Sequence, residues 1–259
     1  MADPVLYDVS GGVATVRFNR PDAMNACDTS VRKALLSAFE QAADDRGVRA
    51  LVLTGSGRAF CVGQDLKELE PLYAGGDPEF GGIVEEFNAA VSALASLPKP
   101  TVAAVNGAAA GAGASFAFAC DFRIAVEGAA FSMAFSKIGL VPDTGASWTL
   151  PRLVGQAKAT EMLMLSEPVR AGEVPGLVTR VVPAESFEAE VAAFAAGLAG
   201  GPTLAYGWIK ELVRLGATAT FEESLAREND LQTAAGRTAD HAAAVASFLR
   251  KEKPVFKGE

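Results

Sequence analysis

The sequence predicts an α/β fold in which largely parallel strands alternate with helices and are followed by a helical C-terminal region. Segments with strand and helix patterns alternate through about the first 180 residues. Strand patterns stop at Pro183, and 50% of the 259 residues are hydrophobic, enough for a substantial core. We therefore expect an α/β core over residues 1–183 and a helical region over residues 184–259.

The first elements show clear patterns. Residues 13–18 alternate between apolar and polar positions, which predicts a half-buried strand. Residues 28–30 are good N-cap types and predict the start of a helix. The spacing of its apolar residues predicts one buried face, made of Val31, Leu35, Ala38 and Ala42. A second strand is predicted over residues 48–53, before the glycines of residues 55–57.

The middle of the chain continues the alternation. Apolar residues recur at helical spacing before Pro98, at Ile83, Phe87, Val91 and Leu94. Residues 100–105 predict a buried strand, a helix is expected to begin near Ala112, and residues 122–126 predict another strand. The C-terminal region is predicted to contain four helices, over residues 187–198, 205–215, 221–235 and 238–251.

The net charge excludes some classes of function. With 31 acidic and 23 basic residues the chain carries a formal charge of −8, which disfavours nucleic acid and membranes as partners. An anionic ligand stays possible, because local basic residues and helix N-termini bind phosphates.

The cysteines and the longest apolar stretch indicate a cytoplasmic protein. Cys27, Cys61 and Cys120 form no CxxC pair, so neither a disulfide framework nor a zinc site is expected, and no metal is predicted. No signal-peptide pattern is visible at the N-terminus. The apolar residues 102–119 are interrupted by glycine, which favours buried core over a membrane span.

Two segments rich in small residues follow strands. Residues 58–68 contain a glycine turn before a short helix, and residues 104–115 pass through alanine and glycine into a helix. Such turns let a ligand approach the backbone, and a helix N-terminus leaves amides free for an oxygen that gains negative charge. Tight packing is the structural alternative. The glycines at 107, 111 and 113 do not match a dinucleotide-binding GxGxxG motif.

Two further segments carry charged groups. Asp143 lies within residues 135–148, among many apolar residues, where desolvation would raise its pKa and suit it to proton transfer. The alternative is a turn aspartate, since Pro-Asp-Thr-Gly is ordinary turn chemistry. The basic residues 250–258 form either a solvated tail or a phosphate contact.

Taken together, these segments resemble the crotonase superfamily, also called the enoyl-CoA hydratase/isomerase family. The resemblance runs from about Val13 to Gly258 and includes four motifs, at residues 19–25, 59–65, 104–107 and 150–155. It implies a spiral of ββα turns, a C-terminal helical trimerisation region, and a homotrimer or a dimer of trimers. The implied ligand is an acyl-CoA thioester, with coenzyme A as part of the substrate and no other cofactor.

The resemblance also implies the site residues. The amides of Gln64 and Ala112 would form an oxyanion hole, and Asp143 would be the acid/base. Lys257 would lie in a tail that reaches coenzyme A, often from a neighbouring subunit. The other positions implied to contact substrate are Ala59, Cys61, Gly63, Asp65, Leu66, Gly111, Ser115 and Phe135.

Two departures from the family pattern favour isomerisation over hydration. Hydratases of the family use two glutamates, and the corresponding positions here are Ser115 and Phe135. Without them, activation of water has no evident base. The segment around Asp143 resembles the subgroup that contains 1,2-epoxyphenylacetyl-CoA isomerase and Δ3,Δ2-enoyl-CoA isomerases, in which an aspartate at this position moves the proton.

Other readings stay open on the sequence. Aroyl-CoA dehalogenation would need a basic histidine, and the single histidine, His241, is expected on the surface of a C-terminal helix. The Asp-Thr-Gly triplet at residues 143–145 resembles an aspartic peptidase, but that chemistry needs two carboxylates. A family member that binds acyl-CoA without turnover is a further alternative.

Overall fold

The computed structural model describes residues 2–74 and 80–259, in which strands and helices alternate as far as residue 182. The strands of this part are β1 Val5–Ser10, β2 Val13–Phe18, β3 Ala50–Gly55, β4 Ala59–Cys61, β5 Thr101–Val105, β6 Ala108–Ala110, β7 Phe122–Val126, β8 Ala130–Ser132, β9 Val169–Arg170 and β10 Arg180–Val182. The α-helices are α1 Thr29–Asp44, α2 Glu70–Ala74, α3 Gly81–Ser96, α4 Ala112–Ala119, α5 Ala146–Val154, α6 Gln156–Leu165, α7 Phe187–Ala199, α8 Thr203–Leu215, α9 Phe221–Ala235 and α10 Ala239–Leu249.

The strands form two sheets. The larger sheet has the order β1-β2-β3-β5-β7-β10, and the smaller has the order β4-β6-β8-β9. Antiparallel pairing is confined to the ends of the sheets, at β1 with β2 and at β8 with β9. The strands in between pair in parallel, as the alternation of strands and helices predicts.

A ββα unit repeats along the chain. After β3, β5 and β7 in the large sheet, the chain passes at once into β4, β6 and β8 in the small sheet, and each pair is followed by helix. Because the three long strands are parallel, the small sheet lies beyond their carboxyl ends. The turns after β4 and β6 therefore lie side by side, and the predicted spiral of ββα turns is confirmed.

Both faces of the large sheet are covered. All six residues of β3 are buried, as is typical of a parallel strand with helices on both sides. On one face α7 packs through Phe187 and Val191 against Val52, Val102 and Ile124. On the other face, α1 and α3 contact each other and contribute to the main core.

The predicted elements are confirmed, with small shifts at their ends. Asp28 caps α1 by accepting a hydrogen bond from the amide of Val31 at 3.0 Å. The strand predicted over 48–53 begins at Ala50, because the amide of Val48 is used in a turn to the carbonyl of Asp45. Sequence patterns missed β4, β6 and β8, because three residues are too few to show an alternation, and they also missed β1, β9, β10, α2, α5 and α6.

The described residues after β10 contain helices and no strand. Helix α7 packs against β2, β3 and β7, and α9 begins with a capping box between Thr220 and Glu223.

The division of the chain into two units at residue 183 stays a prediction. Most residues of the stretch 102–119 are buried, as expected. No helix in the described part is long and apolar enough to cross a membrane.

Candidate active site

Two glycine turns meet at the end of the small sheet. Strands β4 and β6 pair in parallel, with Cys61 beside Ala109. The following turn places Gly63 at φ 87°, and a methyl group on Gly63 would lie 2.9 Å from the carbonyl oxygen of Ala110 and 3.1 Å from the amide nitrogen of Ala112. Both the backbone conformation and the space therefore require glycine. The two candidate amide donors predicted from the sequence belong to turns in direct contact.

The backbone of Gln64 is oriented by a bridge to Cys27. The amide of Cys27 donates to the carbonyl of Gly63 at 2.7 Å, and the amide of Asp65 donates to the carbonyl of Cys27 at 2.9 Å. In a parallel bridge of this kind the amide of the central residue points away from its partner. The Gln64 N–H thus points away from Cys27 and donates to no other residue of the described segments.

The amide of Ala112 finds no acceptor in the described parts of the chain, because it opens a helix. Helix α4 begins at Ala112 after Gly111, whose φ of 49° and ψ of −128° turn the chain out of β6. A first-turn amide has no acceptor within its own helix and lies at the positive end of the helix dipole. Gly113 presses so closely on the carbonyl of Cys61 that a side chain there would collide with it. This contact holds the start of α4 against β4.

A buried arginine, which the sequence reasoning missed, holds the side chain of Gln64. Arg32 Nη1 donates to Gln64 Oε1 at 3.0 Å, and Gln64 Nε2 donates to Glu68 Oε2 at 2.7 Å. The Arg32 side chain has no exposed surface. A signal for it exists in the sequence, since Arg32 stands three residues before Leu35, on the buried face of α1.

Asp143 lies in the loop between a short 3₁₀ turn, Ser136–Ile138, and α5. It is half-buried, and this burial raises the pKa of its carboxyl, while a 2.7 Å hydrogen bond from the hydroxyl of Thr144 opposes the rise. The carbonyl of Asp143 also accepts the amide of Ala146, so the residue is a turn aspartate as well. Helix α5 packs against α4, whose first amide belongs to Ala112.

Ser115 and Phe135 both lie against Gly111. The fully buried hydroxyl of Ser115 donates to the carbonyl of Gly111 at 3.1 Å. A methyl group on Gly111 would lie 3.9 Å from Cζ of the buried Phe135 ring. Neither side chain titrates near neutral pH, so these two positions provide no carboxylate base.

The neighbouring residues of the first turn have structural contacts. Asp65 forms an ion pair with Arg20 at 2.9 Å and caps the short helix by accepting a hydrogen bond from the amide of Lys67. The sulfur of Cys61 is fully buried and lies 3.5 Å from that of Cys27. Ala59 is buried at the start of β4, and 55% of Leu66 is exposed. Their contacts with substrate stay predictions.

Lys257 lies away from these turns within its own chain. Its amide donates to the carboxylate of Asp240 at 2.6 Å, and the neighbouring carbonyl of Phe256 accepts from Arg49 at 2.8 Å. Arg49 immediately precedes the start of β3, whereas the turn that contains Gln64 lies beyond the other end of this strand. At 3.3 Å per residue, the two ends of β3 are about 17 Å apart. The structure therefore brings residues 59–66 together with Gly111, Ala112, Ser115 and Phe135, and it does not bring Lys257 to them.

The chemistry available at the two turns is stabilisation of an oxygen by two backbone amides. Proton transfer by Asp143 at this place stays a prediction. Across the described residues there is no group of three or more His, Cys, Asp or Glu side chains that could hold a metal ion. His241 is exposed on α10.

Comparisons with known proteins agree with this geometry. The sequence model of the family described as "Enoyl-CoA hydratase/isomerase" matches residues 8–259. The chain is 40% identical over 262 residues to 1,2-epoxyphenylacetyl-CoA isomerase of Escherichia coli (strain K12), with all of both proteins covered. It is 42% identical to a protein of Rhodobacter capsulatus named "Probable enoyl-CoA hydratase", with 98% of each covered.

A solved structure of an enoyl-CoA hydratase from Mycobacterium smegmatis superposes with a TM-score of 0.89 at 32% identity, covering 97% of this chain and 98% of that one. The match with the family model and the identity to relatives both extend over nearly the whole chain. Together with the two sheets and the paired glycine turns, they show that the chain is an enzyme of the enoyl-CoA hydratase/isomerase family, the crotonase superfamily.

Proposed function

We propose that the protein is an acyl-CoA isomerase that moves a proton between two carbons of an enoyl-CoA thioester, with Asp143 as the acid/base. The observation that carries the proposal is the contrast among three carboxylates that follow the strands of the small sheet along the chain. Asp65 pairs with Arg20, and Glu68 pairs with Arg32, which holds the pKa of Glu68 at about 2. Burial instead raises the pKa of Asp143, so its carboxylate binds a proton more readily.

The amides of Gln64 and Ala112 would bind the thioester oxygen. Both belong to turns that touch at Gly63, and both lack acceptors among the described residues. Removal of a proton next to the carbonyl places negative charge on this oxygen. Each well-placed amide can then stabilise the transition state by about 3–4 kcal/mol.

The proton transfer needs one carboxylate. In the isomerisation of a 3-enoyl-CoA, Asp143 takes a proton from C2, and the electron pair of that C–H bond forms a dienolate with its charge on the thioester oxygen. The protonated Asp143 then returns the proton to C4, and the double bond comes to lie between C2 and C3. One group serves as base and then as acid if the pocket excludes water.

The residues near Gly111 support isomerisation over hydration. The resemblance implies that hydratases carry glutamates at the positions of Ser115 and Phe135. Here the hydroxyl of Ser115 is already bonded to the carbonyl of Gly111, and Phe135 presents an apolar ring. The names of the relatives include both an isomerase and a hydratase, so the identities alone do not separate the two activities.

A pair of assays tests the proposal. The wild-type chain is expected to convert trans-3-hexenoyl-CoA into the 2-enoyl isomer and to add water to crotonyl-CoA slowly or not at all. Asp143→Asn should abolish isomerisation while acyl-CoA binding is retained. Full activity in Asp143→Asn, or hydration that outpaces isomerisation, would contradict the assignment.

The acyl group is a separate part of the proposal. A ring-derived acyl group is supported by the identity to the relative named 1,2-epoxyphenylacetyl-CoA isomerase. The same oxyanion hole and carboxylate would serve a ring epoxide joined to a thioester. Turnover of this epoxide, measured beside a set of enoyl-CoAs of increasing chain length, would identify the preferred acyl group.

We also propose that the chain assembles as a homotrimer or a dimer of trimers, with the tail of one copy beside the site of another. Large apolar side chains are exposed on the C-terminal helices, including Val213, Phe221 and Phe248. In addition, Lys257 lies far from the Gln64 turn of its own chain, so a contact with coenzyme A would come from a neighbouring subunit. Light scattering of the purified chain would measure its oligomeric state.

A further inference from the structure

We propose that Arg32 is a positioning residue for the oxyanion hole, which fixes the side chain of Gln64 and the segment around Cys27 so that the Gln64 amide keeps its direction. This inference rests on the proposed function, because it concerns the amide to which that function gives a role. In this inference Arg32 acts through Gln64 and Cys27, with which it forms hydrogen bonds, and has no role as a direct substrate contact.

The first support is a closed ring of three side chains. Arg32 Nη1 donates to Gln64 Oε1 at 3.0 Å and to Glu68 Oε2 at 2.8 Å. Gln64 Nε2 donates to Glu68 Oε2 at 2.7 Å and to the carbonyl of Asp65 at 3.0 Å. Both ends of the Gln64 carboxamide are therefore held, and rotation of this residue about its backbone would break several hydrogen bonds at once.

The second support lies on the opposite side of the Gln64 backbone. Arg32 Nη1 also donates to the carbonyl of Cys27 at 3.3 Å. Cys27 is the bridge partner whose amide and carbonyl bind the residues on either side of Gln64. Arg32 thus contacts the turn that contains Gln64 through the Gln64 side chain. It also contacts Cys27, to which the backbone of this turn is hydrogen-bonded.

All three nitrogens of the Arg32 guanidinium donate hydrogen bonds. Its Nε donates to Glu86 at 2.8 Å, Nη2 donates to Thr29 Oγ1 at 2.8 Å, and the group lies 5.1 Å from the centre of the Phe87 ring. A lysine has three donors on one atom and lacks this planar fork, so it cannot hold the same set of acceptors. The arrangement is specific to arginine.

Orientation is a better explanation than direct charge stabilisation. Arg32 lies between Glu68 and Glu86, and Lys33 also approaches Glu86 at 3.7 Å, so the paired groups together carry no net formal charge. Such a cluster does not supply positive potential to a developing oxyanion. An amide donor, however, works only when it is held within about 0.5 Å and 10–20° of the productive geometry. The cluster provides this fixed geometry.

The decisive measurement is the carbonyl stretching frequency of a bound thioester. The probe is trans-2-hexenoyl-CoA labelled with ¹³C at the thioester carbonyl, studied by infrared difference spectroscopy in the Asp143→Asn chain, which holds it without turnover. Binding is expected to lower the frequency, because the two amides polarise the carbonyl. Addition of Arg32→Lys should remove much of this lowering while the Kd of the probe changes little.

Kinetics of otherwise unaltered chains give a second readout. Arg32→Lys should lower kcat on the order of 10²-fold, the loss expected when one oxyanion donor is misplaced, with KM nearly unchanged. Gln64→Leu keeps the amide but removes the side chain that Arg32 holds, and it should reproduce part of the loss of polarisation. This variant keeps the inference testable if the arginine variants fold poorly.

Arg123 provides the matched control. It is also buried, and it donates to the carbonyls of Leu177 at 2.8 Å and Cys120 at 2.7 Å, without contact to the Gln64 turn. Arg123→Lys should lower Tm and leave the carbonyl shift intact. Retention of the shift in Arg32→Lys and Gln64→Leu, or an equal loss in Arg123→Lys, would overturn the inference. No shift in Asp143→Asn alone would instead contradict the proposed oxyanion hole.

Discussion

Gly63 lies against the first turn of α4, so that a methyl group on it would stand 3.1 Å from the amide nitrogen of Ala112. This contact joins two turns that are about fifty residues apart in the chain. It brings the residue that precedes Gln64 against the Ala112 amide. The pairing of β4 with β6 produces it.

Gly63→Ala tests this relationship. The new methyl group would crowd the Ala110 carbonyl and the Ala112 amide, and φ 87° adds strain of about 1–3 kcal/mol. We expect lower stability in urea unfolding and a large loss of kcat. Gly128→Ala is the matched control, because Gly128 has φ 83° and open space around it. The control should lose stability to strain and keep its activity, and equal losses of kcat in both variants would contradict the role of the contact.

Asp143 should make the protein less stable as pH rises. Because burial raises the folded-state pKa of this carboxyl, its ionised form is less favourable in the folded chain than in the unfolded one. Asp143→Asn should therefore increase the free energy of unfolding at pH 7. The difference should shrink as pH falls toward the ordinary aspartate pKa of about 3.9. Urea unfolding at both pH values checks this, and an asparagine variant that is less stable at pH 7 would refute it.

Ser115→Ala separates a space-filling role from a role in substrate binding. The hydroxyl of Ser115 is fully buried and already bonded to the carbonyl of Gly111. A hydrogen bond of this kind contributes about 1 kcal/mol to stability. We expect a small loss in Tm and nearly unchanged kcat and KM for trans-3-hexenoyl-CoA. A KM raised more than tenfold would show instead that the hydroxyl binds substrate.

Glu68 should contribute to stability above its unfolded-state pKa. The Arg32 guanidinium and Thr29 lower the folded-state pKa from 4.5 to about 2, so this contribution is present above pH 4.5 and is lost as pH falls toward 2. Glu68→Gln should lower the free energy of unfolding by about 1–3 kcal/mol at neutral pH. In this variant the free energy of unfolding should also fall less steeply as pH drops from 4.5 toward 2. Glu161→Gln breaks the more exposed ion pair with Lys158. It should lower the free energy of unfolding by about 0–1 kcal/mol and leave the pH dependence of stability in acid unchanged. The same dependence of stability on acid pH in both variants would contradict this account.

Much of the architecture could be predicted from local patterns. The apolar face and N-cap of α1, the buried strand before Asn106 and the boundaries of α9 all agree with the structure. These features depend on neighbours within a few residues, which sequence periodicity records. The four motifs of the family resemblance add the order of the ββα turns, and the family is confirmed by the comparisons.

The sequence by itself, through the family resemblance that it carries, predicted that the two turns need small residues, that the glutamates of hydratases are absent at positions 115 and 135, and that Asp143 is the remaining candidate base. These conclusions concern the identity of single residues, so they need no coordinates. The tertiary structure alone decided that Arg32 holds Gln64, that Gly63 faces Ala112 and that Lys257 lies beyond the opposite end of β3. Such contacts join segments far apart in the chain, and they form only when parallel strand pairing brings the carboxyl ends of β3 and β5 together.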